Sequence, residues 1–257
     1  MSLHTLHIGH GPISYVFLHG LLGQGKNWAT IAKALSPAST LLVDLPDHGR
    51  SPWSEDVSYE GMAEAVIDLL RGLEQTTPVT LVGHSMGGKV AMLVALREPS
   101  LVGRLVVVDI SPTVRTTDEF VGYVDAMLAM DLESITSRGD ADAQLRDAAP
   151  DDTVRAFLLQ SLQRTHTGWA WRPNLEGLRS GLPRIGGWPE PSGTYDGPVL
   201  WFRGERSSYV TEADLPAMRA LFPKVRLVTI KNAGHWVHAD QPAVLADSLA
   251  HWVAATA

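Results

Sequence analysis

The stretch VTLVGHSMGGKVAMLVAL, Val79 to Leu96, decides how the chain is read. Val79–Val82 is apolar and β-branched. From Lys89 onward Val90 and Val94 fall on one helical row, Ala91 and Ala95 on the next. Between the two lies Gly83-His84-Ser85-Met86-Gly87, a G-x-S-x-G pentapeptide set between a predicted strand and a predicted helix. The chain must turn sharply there. Ser85 is expected in a strained backbone conformation, and the residues two before and two after it are expected to pack too closely for side chains. Its Oγ is then lifted above a sheet, at a helix N-terminus that favours developing negative charge. The pentapeptide alone is compatible with a plain tight turn. Its flanks make Ser85 a candidate nucleophile.

Outward from this junction the same rhythm repeats. Short apolar runs predict strands at Ser14–Leu18, Thr40–Val43, Val79–Val82, Arg104–Asp109, Val199–Phe202 and Arg226–Ile230. They lack clean alternation, as strands buried on both faces do. Helical spacings lie between or after them, as in Met62, Val66, Leu69, Leu70 and Leu73, and in Val244, Leu245, Leu249 and Trp252. Strand–helix alternation implies an α/β fold, a mostly parallel sheet flanked by helices. The rhythm breaks between Pro112 and Gly197. Charged helical patterns run from about Asp118 to Gln163, followed by GWAWRPNLEGLRSGLPRIGGWPEPSG. Residues 1–111 and 196–257 are read as one core domain, and 112–195 as a helical cap inserted over the sheet's carboxyl edge, where ligands of such sheets bind. Trp169, Trp171 and Trp188 either line a pocket there or close the insertion's own small core.

Composition narrows the function classes. The chain has 257 residues, which suits one α/β domain with an insertion, and it has no cysteine, which excludes disulfides and thiolate nucleophiles. It carries 21 Lys+Arg against 28 Asp+Glu, a net charge of −7, with no basic block, so no nucleic-acid partner is expected. No apolar stretch approaches the roughly 20 residues that span a bilayer, and the N-terminus shows no secretory pattern, so a cytoplasmic protein is expected. No metal is expected: His4, His7 and His10 fall on an edge strand without an acidic or cysteine partner, and no H-E-x-x-H occurs. Oligomeric state is not legible.

A serine hydroxyl needs a base. His235, in IKNAGHWVHADQP, follows the last predicted strand and precedes the last helix. His238 is expected at the start of that helix with no part in proton transfer, and His84 as structural support. The loop HGLLGQGKNW, His19 to Trp28, has two readings. Gly20, four residues, Gly25 and Lys26 nearly make a phosphate-binding loop. Asn27, however, stands where a Ser or Thr hydroxyl would hold Mg²⁺, and that reading leaves the Ser85 turn unexplained.

With FLHGLLG, DLPDHGRS, GHSMGG and NAGHW in this order, the chain resembles the α/β-hydrolase superfamily from about Leu6 to Trp252. Within it the chain is most similar to small bacterial YbfF-type esterases and related acyl hydrolases; VVVDISP and DHGRS, with Asp47 where many relatives carry glycine, suit that branch. The resemblance implies that the backbone N–H groups of Leu21 and Met86 form an oxyanion hole and that DLPDHGRS is structural. It also implies an acid to orient His235. Many relatives place that acid after the strand preceding the histidine strand, but VLWFRGERSSYVTEADL has Ser207 and Ser208 there. Asp109, closing RLVVVDISP, is the favoured acid, and Glu205 the alternative. The function implied is a cofactor-free serine hydrolase. It would cleave a small-molecule carboxylic ester or thioester through an acyl-enzyme, with an apolar acyl chain of short to medium length. A same-fold C–C bond hydrolase or lyase, and a small-ligand receptor that retains the triad, remain as alternatives. Arg138, Arg146, Arg155, Arg164 and Arg172 are scattered through the insertion without an obvious phosphate or coenzyme A clamp.

Overall fold

A computed structural model of the chain describes residues 2–73 and 75–256. Its strands are β1 (Thr5–Ile8), β2 (Tyr15–Leu18), β3 (Thr40–Val43), β4 (Val79–His84), β5 (Val102–Val108), β6 (Leu162–Arg164), β7 (Trp169–Trp171), β8 (Val199–Gly204) and β9 (Val225–Ile230). The helices are α1 (Ala29–Ala34), α2 (Tyr59–Gly72), α3 (Met86–Arg97), α4 (Asp118–Ala129), α5 (Arg138–Leu145), α6 (Asp152–Leu159), α7 (Leu175–Gly186), α8 (Leu215–Leu221), α9 (Val237–Asp240) and α10 (Pro242–Ala255). Seven strands form one sheet in the order β1-β3-β2-β4-β5-β8-β9, parallel except for the antiparallel edge pair β1–β3. From β2 the chain goes to β3 on one side and to β4 on the other. The carboxyl ends of β2 and β4 therefore flank the point where strand order reverses, the usual ligand crevice of an open α/β sheet.

Every residue of β2, β3 and β4 is buried. That explains their unbroken apolar sequence, because alternate side chains feed two separate cores. Val16, Leu18, Leu81 and Val107 pack with α2 and α3 on one face. Tyr15, Phe17, Val82 and Val106 pack with Trp28, Ile31, Leu249 and Trp252 on the other. The α3 helix is buried from Met86 to Ala95, so its small side chains let it lie close against the sheet. Val244 belongs to the apolar spacing of α10, yet it is exposed.

Between β5 and β8 the chain forms α4 to α7 and, contrary to the expectation of helices and loops alone, an antiparallel hairpin β6–β7. The helix α7 was hidden by Gly177, Gly181 and Pro183. Gly181 is needed because an added Cβ would sit 2.7 Å from Val57 Cβ. This segment is tied to the core at several points. Asn174 Nδ2 donates to Asp47 Oδ1 at 2.9 Å, Tyr59 Oη donates to the Ile185 carbonyl at 2.7 Å, and Lys89 Nζ donates to the Gly187 carbonyl at 2.6 Å. Asp47 itself is fully buried with φ 66°, a conformation that Asp tolerates better than most residues.

His4 and His7 depart from the expected isolation of edge histidines. His4 Nδ1 lies 2.9 Å from Asp44 Oδ2, and His7 Nε2 lies 2.7 Å from Ser39 Oγ. Among the described residues, no group of three or more His, Cys, Asp or Glu side chains is arranged to hold a metal ion.

Candidate active site

The turn from β4 into α3 has the strain its sequence implied. Ser85 has φ 51° and ψ −121° and caps the N-terminus of α3. An added Cβ on Gly83 would lie 2.1 Å from the Gly87 carbonyl oxygen, and one on Gly87 would lie 2.4 Å from the His19 carbonyl oxygen. Neither position admits a side chain, so β2, β4 and α3 meet backbone to backbone. That approach brings the loop after β2 beside Ser85.

His19 shapes this loop. Its Nε2 accepts the Leu45 N–H at 3.0 Å, which leaves Nδ1 protonated to donate to the Gly20 carbonyl at 2.8 Å. The turn is closed by Gly23 N–H to Gly20 O at 3.0 Å. Among the described residues, neither Leu21 N–H nor Met86 N–H donates to a protein acceptor. Leu21, Ser85 and Met86 line one cavity together. The phosphate-loop reading meets a physical obstacle here: Gly25 N–H donates to the buried Asp44 carboxylate at 2.7 Å, so an acid occupies that donor.

His235, on the loop between β9 and α9, places Nε2 3.1 Å from Ser85 Oγ and Nδ1 2.8 Å from Asp109 Oδ2. Asp109 follows β5 with φ 52° and is fully buried. A bare buried carboxylate would be costly, and this one has three donors. Gly204 N–H donates to Oδ1 at 2.8 Å, Ser207 Oγ donates to Oδ2, and His235 Nδ1 faces Oδ2. Glu205 is elsewhere: its Oε2 accepts the exposed Asn232 N–H at 2.9 Å. The structure therefore brings Ser85, His235 and Asp109 into one hydrogen-bonded chain and leaves Glu205 outside it.

The sequence did not single out Tyr209, whose ring stacks on His235 with centroids 3.8 Å apart. Nothing in its spacing announces this; it depends on the loop after β8 folding back. Burial pushes its phenol pKa up. His84 is also more than filler. Its Nε2 lies 2.9 Å from the His235 carbonyl, so Nε2 must carry the proton, and the bond anchors the His235 loop. Burial holds His84 well below the usual histidine range, and takes His238 down to about 4. His238 lies in the short helix α9 rather than at the start of α10; its ring packs against His84 and Trp28.

Two readings were open for Trp169, Trp171 and Trp188, pocket lining or core packing. The aromatic side chains at the Ser85–His235 cavity are Phe120, Phe157 and Trp236. Trp169, Trp171 and Trp188 instead pack, partly buried, against the large hydrophobic core. The indole of Trp171 is fixed by donating to the Met127 carbonyl at 2.9 Å, and Trp169 lies against Arg138 and Arg164.

The profile of the Alpha/beta hydrolase family matches residues 15–248, and the chain belongs to that family. It is 41% identical over 247 residues to the sn-1-specific diacylglycerol lipase ABHD11 of Mus musculus, covering 93% of this chain and 80% of that protein. It is 34% identical over 237 residues to Esterase YbfF of Escherichia coli strain K12, covering 91% and 90%. A solved marine microorganism esterase superposes with TM-score 0.93 at 31% identity, covering 97% of this chain and 98% of that one. The resemblance to YbfF-type esterases thus holds, though identity to the lipase is higher. The chain is an ester-type hydrolase of this fold. Among the described residues no helix is long and apolar enough to cross a membrane.

Proposed function

We infer that the protein is a serine hydrolase that cleaves a carboxylic ester or thioester of an apolar acyl chain through an acyl-enzyme. The observation that carries this reading is the hydrogen-bonded chain Ser85–His235–Asp109 beside two undonated backbone N–H groups. Ser85 Oγ attacks the acyl carbonyl while His235 Nε2 takes its proton. Asp109 holds the imidazole with Nδ1 protonated and balances the imidazolium that forms. The N–H groups of Leu21 and Met86, with the N-terminus of α3, stabilise the tetrahedral oxyanion. His235 returns the proton to the leaving alcohol or thiol. Water, activated by His235 on its second turn, then releases the acid.

Residues 112–195 act as the cap: Phe120 and Phe157 from it, with Trp236 from the core, give the acyl group an apolar wall. The mouse relative's name specifies a diacylglycerol, and a glycerol-linked ester of a fatty acid is compatible with such a wall.

The test is hydrolysis of p-nitrophenyl esters from acetate to dodecanoate by the wild type and Ser85→Ala. Turnover that peaks within the series and falls by about 10⁶ in kcat in the variant is expected. Undiminished turnover in Ser85→Ala, or no turnover of any ester by the wild type, would overturn the reading.

A further inference from the structure

The arginines that looked scattered in sequence divide into two groups in space. Arg146 and Arg155 pair with Asp142, Arg179 with Asp125, and Arg184 with Asp56. Arg138, Arg164 and Arg172 have no carboxylate partner among the described residues, although Arg138 donates to the Leu159 and Leu162 carbonyls, and the fold brings them together. With Lys26 and Arg50 from the core, likewise unpaired among those residues, they line a groove of about 510 Å³ between the β1–β3 side of the sheet and the β6–β7 hairpin. Trp169 carries two of the guanidinium groups, with Arg138 Cζ 5.9 Å and Arg164 Cζ 5.7 Å from its ring centre.

The acids at this groove are already engaged. The buried Asp44 accepts from Gly25 N–H, Arg50 N–H and His4 at 2.7, 2.9 and 2.9 Å. In the adjoining lobe Asp142 holds Arg155 at 2.9 Å and Arg146 at 3.5 Å. Five cations face this groove against the one carboxylate of Asp44, which makes it a locally positive site in a chain of net charge −7. The groove adjoins the cavity of the reacting atoms, since Asn27 lines both its second lobe and that cavity. Its two lobes share Gln24, Lys26, Arg138 and Gln160, and Gln160 Oε1 accepts from Asn27 Nδ2 at 2.7 Å. Asn27 in turn lines the cavity that holds Ser85 and His235.

We propose that this groove binds a phosphate-bearing group on the leaving-group side of the substrate. The proposal rests on the ester-hydrolase reading of Ser85 and extends it. An alkyl chain gains nothing among arginines and glutamines, whereas the aromatic wall beside Ser85 suits it, so the charged end is the alcohol or thiol part. Guanidinium forks and an ammonium together match a phosphate better than a single carboxylate, which one arginine would satisfy. The phosphate is either part of a soluble substrate or a lipid headgroup.

Three measurements on the wild type and Arg164→Gln/Arg172→Gln test this, with p-nitrophenyl butyrate hydrolysis as the control that both enzymes keep. Inorganic pyrophosphate should raise the Tm of the wild type and leave the double variant unmoved. In a ladder of butyryl esters of ω-hydroxyalkyl phosphates and of the matching diols, the phosphate should lower KM about tenfold at one linker length, with kcat within twofold, and the variant should lose that advantage. Binding to phosphatidylglycerol but not phosphatidylcholine vesicles, with no response in the ladder, would assign the site to a headgroup. A pyrophosphate shift that persists in the variant would overturn the proposal. So would the lack of any shift, KM advantage or vesicle binding in an enzyme that hydrolyses p-nitrophenyl butyrate. Because the pyrophosphate arm reads binding alone, an inactive wild type would reject the ester-hydrolase reading and still leave the groove measured.

Discussion

Ser207 occupies the place where the sequence offers no acid, and in the structure its hydroxyl donates to the acid that β5 supplies. Two routes to the same position beside His235 Nδ1 therefore meet at Asp109 Oδ2. In Asp109→Asn the carboxamide can present its NH₂ to Nδ1 and favour the wrong imidazole tautomer, so kcat should fall by about 10⁴ with the fold intact. Adding Ser207→Asp should restore at least about tenfold, since a carboxylate then reaches Nδ1 from the neighbouring loop. Glu205→Gln should leave kcat within a factor of about two, because Glu205 only closes a surface turn onto Asn232. Steady-state kinetics of the variants decides this; a Glu205→Gln enzyme crippled beside an active Asp109→Asn enzyme would reverse the assignment.

Elements differ in how visibly they were written. The strands were legible because burial on both faces selects unbroken β-branched runs, and α2 and α3 because one apolar row repeats. The turn between β4 and α3 was legible for a steric reason, which makes a sharp prediction. Gly83→Ala puts a methyl 2.1 Å from the Gly87 carbonyl oxygen, and backbone cannot yield as a flexible side chain can. It should cost about 3 kcal/mol, read as a lower denaturant midpoint at unchanged m, and displace Ser85 enough to lower kcat. A variant as stable as the parent would mean that the elbow is looser than described. The hairpin β6–β7 and helix α7 were not legible. The strands of the hairpin are three residues each, too short to show a period; α7 does repeat Leu175, Leu178, Leu182 and Ile185 at helical spacing, but Pro183 and its glycines masked it.

At the scale of the whole molecule, buried neutral histidines link stability to pH. Burial drives His48 down to about 3 and His238 to about 4, and lowers His84 in the same direction. The unfolded chain takes up these protons near pH 6.5, whereas the native chain does not until far lower. Stability is therefore complete above about pH 6.5 and declines as pH falls toward 3. The slope approaches about 1.4 kcal/mol per pH unit for each such histidine. The Tm should drop between pH 7 and pH 5. His48→Asn, which keeps a donor for the Pro46 carbonyl, should flatten that drop whatever it does to stability at pH 7. Equal pH profiles for the two proteins would remove His48 from this account.

The sequence by itself determined the parallel sheet, the strained serine turn and the strand ends that carry Ser85 and His235. These follow from local rules: buried strands need apolar runs, a sharp turn needs glycines, and each motif sits within a few residues of the strand end that presents it. Three things were left to the tertiary structure, because each joins residues far apart in the chain. Asp109 rather than Glu205 faces His235 because β5 lies beside β4, so its end opens next to Ser85. Phe120, Phe157 and Trp236 line the cavity because the paths of α4 and α6 over the sheet and of the loop after β9, not composition, select which aromatics point inward. Lys26 and Arg50 join Arg138, Arg164 and Arg172 because a hairpin of two three-residue strands folds against the β1–β3 side of the core. Proximity across more than a hundred residues is set by packing, and no local pattern records it.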